Sequence, residues 1–174
     1  KIRPHWQELQ NLRAEVKWSH ETRFDFAADK TTTNTISAKP PLKTLLEKTA
    51  FVKTNSAKTN TANANLANTH YIEVKSVTMA EGDIAYFPDA VTTRGQKHLK
   101  ELTQIVQDGG NAEILFIIQR ADVSHFAAAS DIDPEYAKLL RRASETGVRI
   151  TALRVQPEKK GLILDESFSV QIQI

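Results

Sequence analysis

Asp25 and the triplet Glu73-Val74-Lys75 carry the side chains best suited to chemistry in this sequence. Both lie where apolar and polar residues alternate, so both read as parts of strands. Residues two apart on a strand share a face, which sets Glu73 beside Lys75. If the strand of Asp25 pairs with theirs, two carboxylates and an ammonium group meet at one sheet edge. Paired carboxylates form an oxygen-rich site suited to Mg2+ or Mn2+. A lysine next to them can orient an attacking water or neutralise developing negative charge. These are the parts needed for metal-assisted phosphodiester hydrolysis. The same pattern also reads as a solvated strand face with a cross-strand ion pair.

A second cluster follows. Arg94, Lys97 and His98 are spaced three and four apart, so they share one face near the start of a predicted helix. Cations there oppose the helix dipole. They make sense if phosphate docks at that end, helped by free backbone N–H groups. A generic basic helix face is the alternative. Asp89 and Asp108 read as cap and turn residues. His5, His20, His70 and His125 show no metal-ligand spacing and are expected at the surface or in loops, and Trp6 and Trp18 as core or edge anchors. There is no Gly-rich phosphate loop, no Gly-x-Ser-x-Gly elbow and no zinc signature.

The elements that must position these residues belong to one domain's worth of chain, 174 residues with 40% hydrophobic and 25% charged side chains. Without cysteine, a disulfide scaffold, a cysteine nucleophile and thiolate metal sites are excluded. No apolar run is long enough for a membrane helix and no signal peptide is recognisable, so a soluble, cytoplasmic protein is expected. The net charge is only +2. Between Lys30 and His70 six lysines face a single acid, Glu47, so this segment carries more than the whole net charge. Global charge therefore gives no argument for nucleic acid binding. The segment 30–69 is rich in Thr, Asn, Ala, Lys and Ser and reads as an insertion, partly disordered, between two strands. A short helix over 40–48 is expected within it, and its lysines suit either a solvated loop or a polyanion contact.

Residues 1–29 and 70–174 then form the α/β body. A short helix is predicted over 4–12, strands over 14–18, 23–27 and 71–79, and a helix from Thr92 or Thr93 to Asp108, stopped by Gly109-Gly110. A strand buried on both faces follows over 112–118. Asp133-Pro134 opens a helix ending near Gly147, followed by a strand over 148–155 and two short strands near Leu162 and Val170. This order predicts a central mixed sheet flanked by helices.

The stretches Tyr71-Ile72-Glu73-Val74-Lys75-Ser76-Val77-Thr78 and Tyr86-Phe87-Pro88-Asp89-Ala90-Val91-Thr92-Thr93-Arg94-Gly95-Gln96-Lys97-His98-Leu99-Lys100-Glu101-Leu102 resemble the sugar fermentation stimulation protein A (SfsA) family. Glu15-Val16-Lys17 and Arg23-Phe24-Asp25-Phe26 are similar to its upstream strands, and Asp131 to Tyr136 through Gly147-Val148 to its late helix. The resemblance covers nearly the whole chain outside the insertion. It implies a bacterial protein associated with DNA binding and with regulation of maltose-type sugar metabolism. It implies a domain similar to the PD-(D/E)xK restriction-endonuclease-like fold, with the family's N-terminal OB-like domain absent. It further implies Asp25 and Glu73 as ligands to Mg2+ or Mn2+, the Val74 carbonyl beside them, Lys75 as the catalytic lysine, and Arg94, Lys97, His98 and Arg23 as DNA contacts. Glu15 is expected to partner Arg23 or Lys17. Two readings follow: a DNA-binding protein with a metal-dependent deoxyribonuclease site, or a non-catalytic DNA-binding transcriptional regulator on the same fold. A plain interaction domain is left if neither DNA nor metal binds.

Overall fold

A computed structural model describes residues 4–30, 66–158, 161–165 and 169–174. The predicted helix over 40–48 and most of the 30–69 segment lie outside the described residues. A short 3-10 helix, Pro4–Glu8, leads into strands β1 (Leu9–Lys17) and β2 (Arg23–Lys30). Strands β3 (Thr69–Val77), β4 (Ala80–Glu81) and β5 (Ile84–Phe87) precede helix α1 (Thr93–Gln107). Then come β6 (Asn111–Ile118), β7 (His125–Ala128), helix α2 (Pro134–Thr146), β8 (Arg149–Glu158), β9 (Gly161–Leu164) and β10 (Gln171–Gln173).

A six-stranded sheet runs in the order β1-β2-β3-β6-β8-β9, and a four-stranded one in the order β10-β7-β5-β4. In the large sheet β3, β6 and β8 are parallel, while β1, β2 and β9 are antiparallel to their neighbours. The mixed sheet with helices is the predicted architecture. One apolar cluster joins Leu99, Leu102 and Ile105 of α1, Tyr136 and Leu140 of α2 and Phe126 of the small sheet to Ile114 and Phe116 of β6. Each such side chain contributes about 1.5–3 kcal/mol by leaving water. The opposite face of the large sheet packs a second cluster around Phe26, Ile72, Leu115 and Trp6.

Four expectations change. The predicted helix over 4–12 is only a 3-10 turn, because from Leu9 the backbone pairs with β2, Leu9 opposite Lys30. Trp6 and Leu9 still share one apolar cluster. Phe24 and Phe26, expected on one face, enter opposite cores. The alternation of β3 does not divide water from core, since Thr69 through Glu73 are all buried. Finally, β4, β5 and β7 form with β10 a second sheet that the sequence did not suggest.

Both helix starts are tied by one carboxylate. Asp133 caps α2 through the Tyr136 N–H (2.9 Å) and also accepts from the Thr92 N–H (2.9 Å), the cap residue of α1. Gln96 Nε2 donates to it as well, at 2.9 Å. Gly95 allows this approach: a Cβ there would lie 2.8 Å from Thr92 Cγ2 and 3.0 Å from Tyr136 Cε2. Burial pushes the Asp133 carboxyl up, but these donors outweigh it and hold it below its ordinary value. A depressed folded-state value stabilises the fold above the unfolded-state pKa, and that gain is lost as pH falls through the folded one. Asp133→Asn should therefore lower stability near neutral pH by about 1–2 kcal/mol, a difference that should shrink at a pH below the ordinary carboxylate value. Urea unfolding at the two pH values measures it.

Candidate active site

Strands β2 and β3 pair up to Phe26 opposite Ile72, and continuing that register sets Asp25 across from Glu73. Just beyond the last pair, the Val74 N–H donates to Asp25 Oδ2 at 2.9 Å. Glu73 points under α1 and is 3% exposed. Its Oε1 accepts from Lys75 Nζ at 2.7 Å and from His98 Nδ1. Its Oε2 is buried and has no hydrogen-bond partner among the described residues. The expected trio of Asp25, Glu73 and Lys75 is thus brought together, and the solvated-face alternative is excluded for Glu73.

The two carboxyl groups are driven apart in acidity. Burial pushes Asp25 up, and the charge of Glu73 adds to this against the Val74 N–H, Lys75 and His98. Burial also disfavours ionised Glu73, but His98 and Lys75 overcome it and hold its carboxyl below the ordinary value. Two acids sharing one site behave in this way. The Tyr136 hydroxyl is buried nearby without a partner; burial first, then the charges of Glu73 and Asp133, raise its pKa well above normal. Among the described residues no group of three or more His, Asp and Glu could hold a metal ion. A hard cation would rest on the two carboxylates, with backbone or water oxygens completing its shell, as Mg2+ readily accepts. The orphaned Glu73 Oε2 fits that role.

Beside this pair lies a cleft of about 510 Å³ whose lining includes His20, Glu21, Arg23, Arg94, Lys97 and His98. All four residues expected to touch DNA therefore border one space. Arg23 and Arg94 are exposed and make no side-chain hydrogen bond or ion pair among the described residues. Lys97 Nζ reaches Glu21 Oε2 at 2.6 Å, a half-exposed pair of little net strength. His98 differs from the surface contact expected, because its ring is 3% exposed and turned to Glu73. Its spacing of four and seven from Leu102 and Ile105 placed it on the core face of α1 and could have revealed this. Glu15 is exposed and makes no ion pair with Arg23 or Lys17 among the described residues.

Two further polar groups depart from the sequence reading. His70, expected at the surface, is buried and its Nε2 meets Glu113 Oε2 at 2.9 Å. Glu113, fully buried on β6, also accepts from Trp6 Nε1 (3.0 Å) and Thr151 Oγ1 (2.5 Å). A charge inside the apolar run of β6 was the available signal, since a buried carboxylate needs partners. Near the starts of β5 and β7, Asp83, Ser124 and His125 gather. Ser124 Oγ (2.7 Å) and Asp83 Oδ2 (3.0 Å) both contact His125 Nδ1, so the ring cannot relay a proton between them as a serine nucleophile requires.

The family model described as the sugar fermentation stimulation protein RE domain matches residues 44–161. A sugar fermentation stimulation protein homolog of Bdellovibrio bacteriovorus is 40% identical over 156 residues, covering 88% of this chain and 51% of that protein. A homolog of the same name from Geotalea uraniireducens is 48% identical over 102 residues, 59% of this chain and 44% of that protein. The solved structure of Pyrococcus furiosus SfsA in complex with Ca2+ superposes with a TM-score of 0.70 at 26% identity. It covers 97% of this chain and 57% of its own. The chain thus spans about half the length of the relatives it matches. No helix among the described residues is long and apolar enough to cross a membrane.

Proposed function

The chain belongs to the sugar fermentation stimulation protein (SfsA) family, and on that premise we propose that it is a DNA-binding protein with a divalent-cation-dependent phosphodiesterase site. The observation carrying this is the buried Glu73 Oε2, left without a partner beside an Asp25 that its charge already disturbs. Among the described residues no donor reaches that oxygen, and a cation would. The Pyrococcus furiosus relative is described in complex with Ca2+, a hard cation of the class this reading invokes.

When bound, Mg2+ or Mn2+ supplies Lewis-acid stabilisation of the phosphoryl oxygens and a more acidic water. Asp25 and Glu73 would hold it from neighbouring strands. Lys75, on the same strand face as Glu73, orients the attacking water and balances charge building on the phosphate. Arg23, Arg94 and Lys97 hold the DNA backbone in the adjoining cleft, as phosphate contacts position a strand without reading its sequence. The family's name refers to sugar fermentation, and on this reading the protein would act there as a regulator.

Single- and double-stranded DNA incubated with Mg2+ or Mn2+ should be cut by the wild-type chain. Absence of cleavage with either ion on either substrate defeats the catalytic reading. A second reading, DNA binding without cutting, is favoured by the unpartnered Arg23 and Arg94, whose role in the cleft does not depend on the acids. Arg94→Ala should weaken DNA binding similarly across sequences and reduce the slope of log affinity against log salt by about one. Binding indifferent to salt contradicts both readings.

A further inference from the structure

His98 stands between the two halves of the site. Its imidazole lies against Phe24, ring centroids 6.0 Å apart, and its Nδ1 meets Glu73 Oε1. A carboxylate ion only accepts, so Nδ1 carries the proton of that bond. Lys75 Nζ occupies the same oxygen. Two donors thus converge on Oε1, while Oε2 is buried with none. The ring's other nitrogen has no partner among the described residues and is not among the side-chain atoms buried without one. His98 also lines the adjoining cleft, so the ring stands between that space and Glu73.

We propose that His98 is a positioning residue for Glu73: it pins Oε1 so that Oε2 is the oxygen presented to a divalent cation. The inference rests on the reading of Asp25 and Glu73 as a cation site. Lys75 does not suffice for this, because a flexible stem with a rotating ammonium group follows either carboxylate oxygen. His98 is held on α1, whose first turn is tied to α2 through Asp133, and Phe24 packs against its ring. Rigid support of this kind orients a ligand, and removing such a partner commonly costs about 10–100-fold in metal affinity.

Asparagine and glutamine separate positioning from packing. The Asn amide nitrogen falls near the place of Nδ1 and can donate to Oε1, whereas the longer Gln side chain carries its amide toward the place of Nε2. Mn2+ would be titrated calorimetrically into the wild-type chain, His98→Asn, His98→Gln and Asp25→Asn, with a urea midpoint for each. Asp25→Asn should lose Mn2+ binding, His98→Asn should keep it within about threefold, and His98→Gln should weaken it about 10–100-fold. Equal affinities for His98→Asn and His98→Gln, with both folded, overturn the proposal. A wild-type chain that binds no Mn2+ overturns the cation reading itself, an outcome distinct from the first.

Discussion

Asp25→Asn should reduce Mn2+-dependent DNA cleavage by at least about a hundredfold while leaving the fold as stable as before, or more so. Activity and stability part here for a physical reason. The carboxylate is half-buried, and both burial and the charge of Glu73 disfavour its ionised form. Asparagine keeps an acceptor for the Val74 N–H, now 2.9 Å from Asp25 Oδ2, and removes the charge. An acid retained solely for packing would show the reverse, an unchanged function with a lower unfolding midpoint. Cleavage assays beside thermal unfolding of the same preparations make the comparison. Cleavage at the wild-type rate, or a clear loss of stability, counts against the assignment of Asp25.

Glu113→Ala should lower the unfolding free energy by about 3–5 kcal/mol. The fully buried carboxylate accepts from the Trp6 indole and Thr151 hydroxyl and meets the ring of His70. Truncation withdraws the acceptor from all three at once, and each buried polar group left unmatched costs about 1–3 kcal/mol. Trp6 ties the chain preceding β1 to the sheet through this bond, so its fluorescence should shift toward that of a hydrated indole. Glu113→Gln keeps one acceptor oxygen and should fall between the two. A loss under about 1 kcal/mol for the alanine variant contradicts this account of the network.

These residues also mark where a sequence can be read and where it cannot. Helices α1 and α2 were legible because their stripes are long and their caps, Thr92 and Asp133-Pro134, are chemically specific. Strand β6 was legible because its short apolar run, set off by Gly109-Gly110, fits a strand buried on both faces. Asp25 and Glu73 were found from strand periodicity, which fixes a face but not what covers it. That limit explains Glu73: alternation suggested a wet face, and α1 closes over it. The small sheet was missed because β5 and β7 have four residues each and β4 two, too few for a period to register. His70 and Glu113 pair across strands 43 positions apart, and no local pattern encodes such a bond.

The central claim is that Asp25 and Glu73 share one divalent cation. Crystals grown with Mn2+ and measured for its anomalous signal test it most directly. The account predicts a peak within coordination distance of both carboxylates, with Glu73 Oε2 facing it and Oε1 still held by His98. No peak between them under saturating Mn2+, or a peak bound elsewhere while Glu73 Oε2 stays without a ligand, contradicts it.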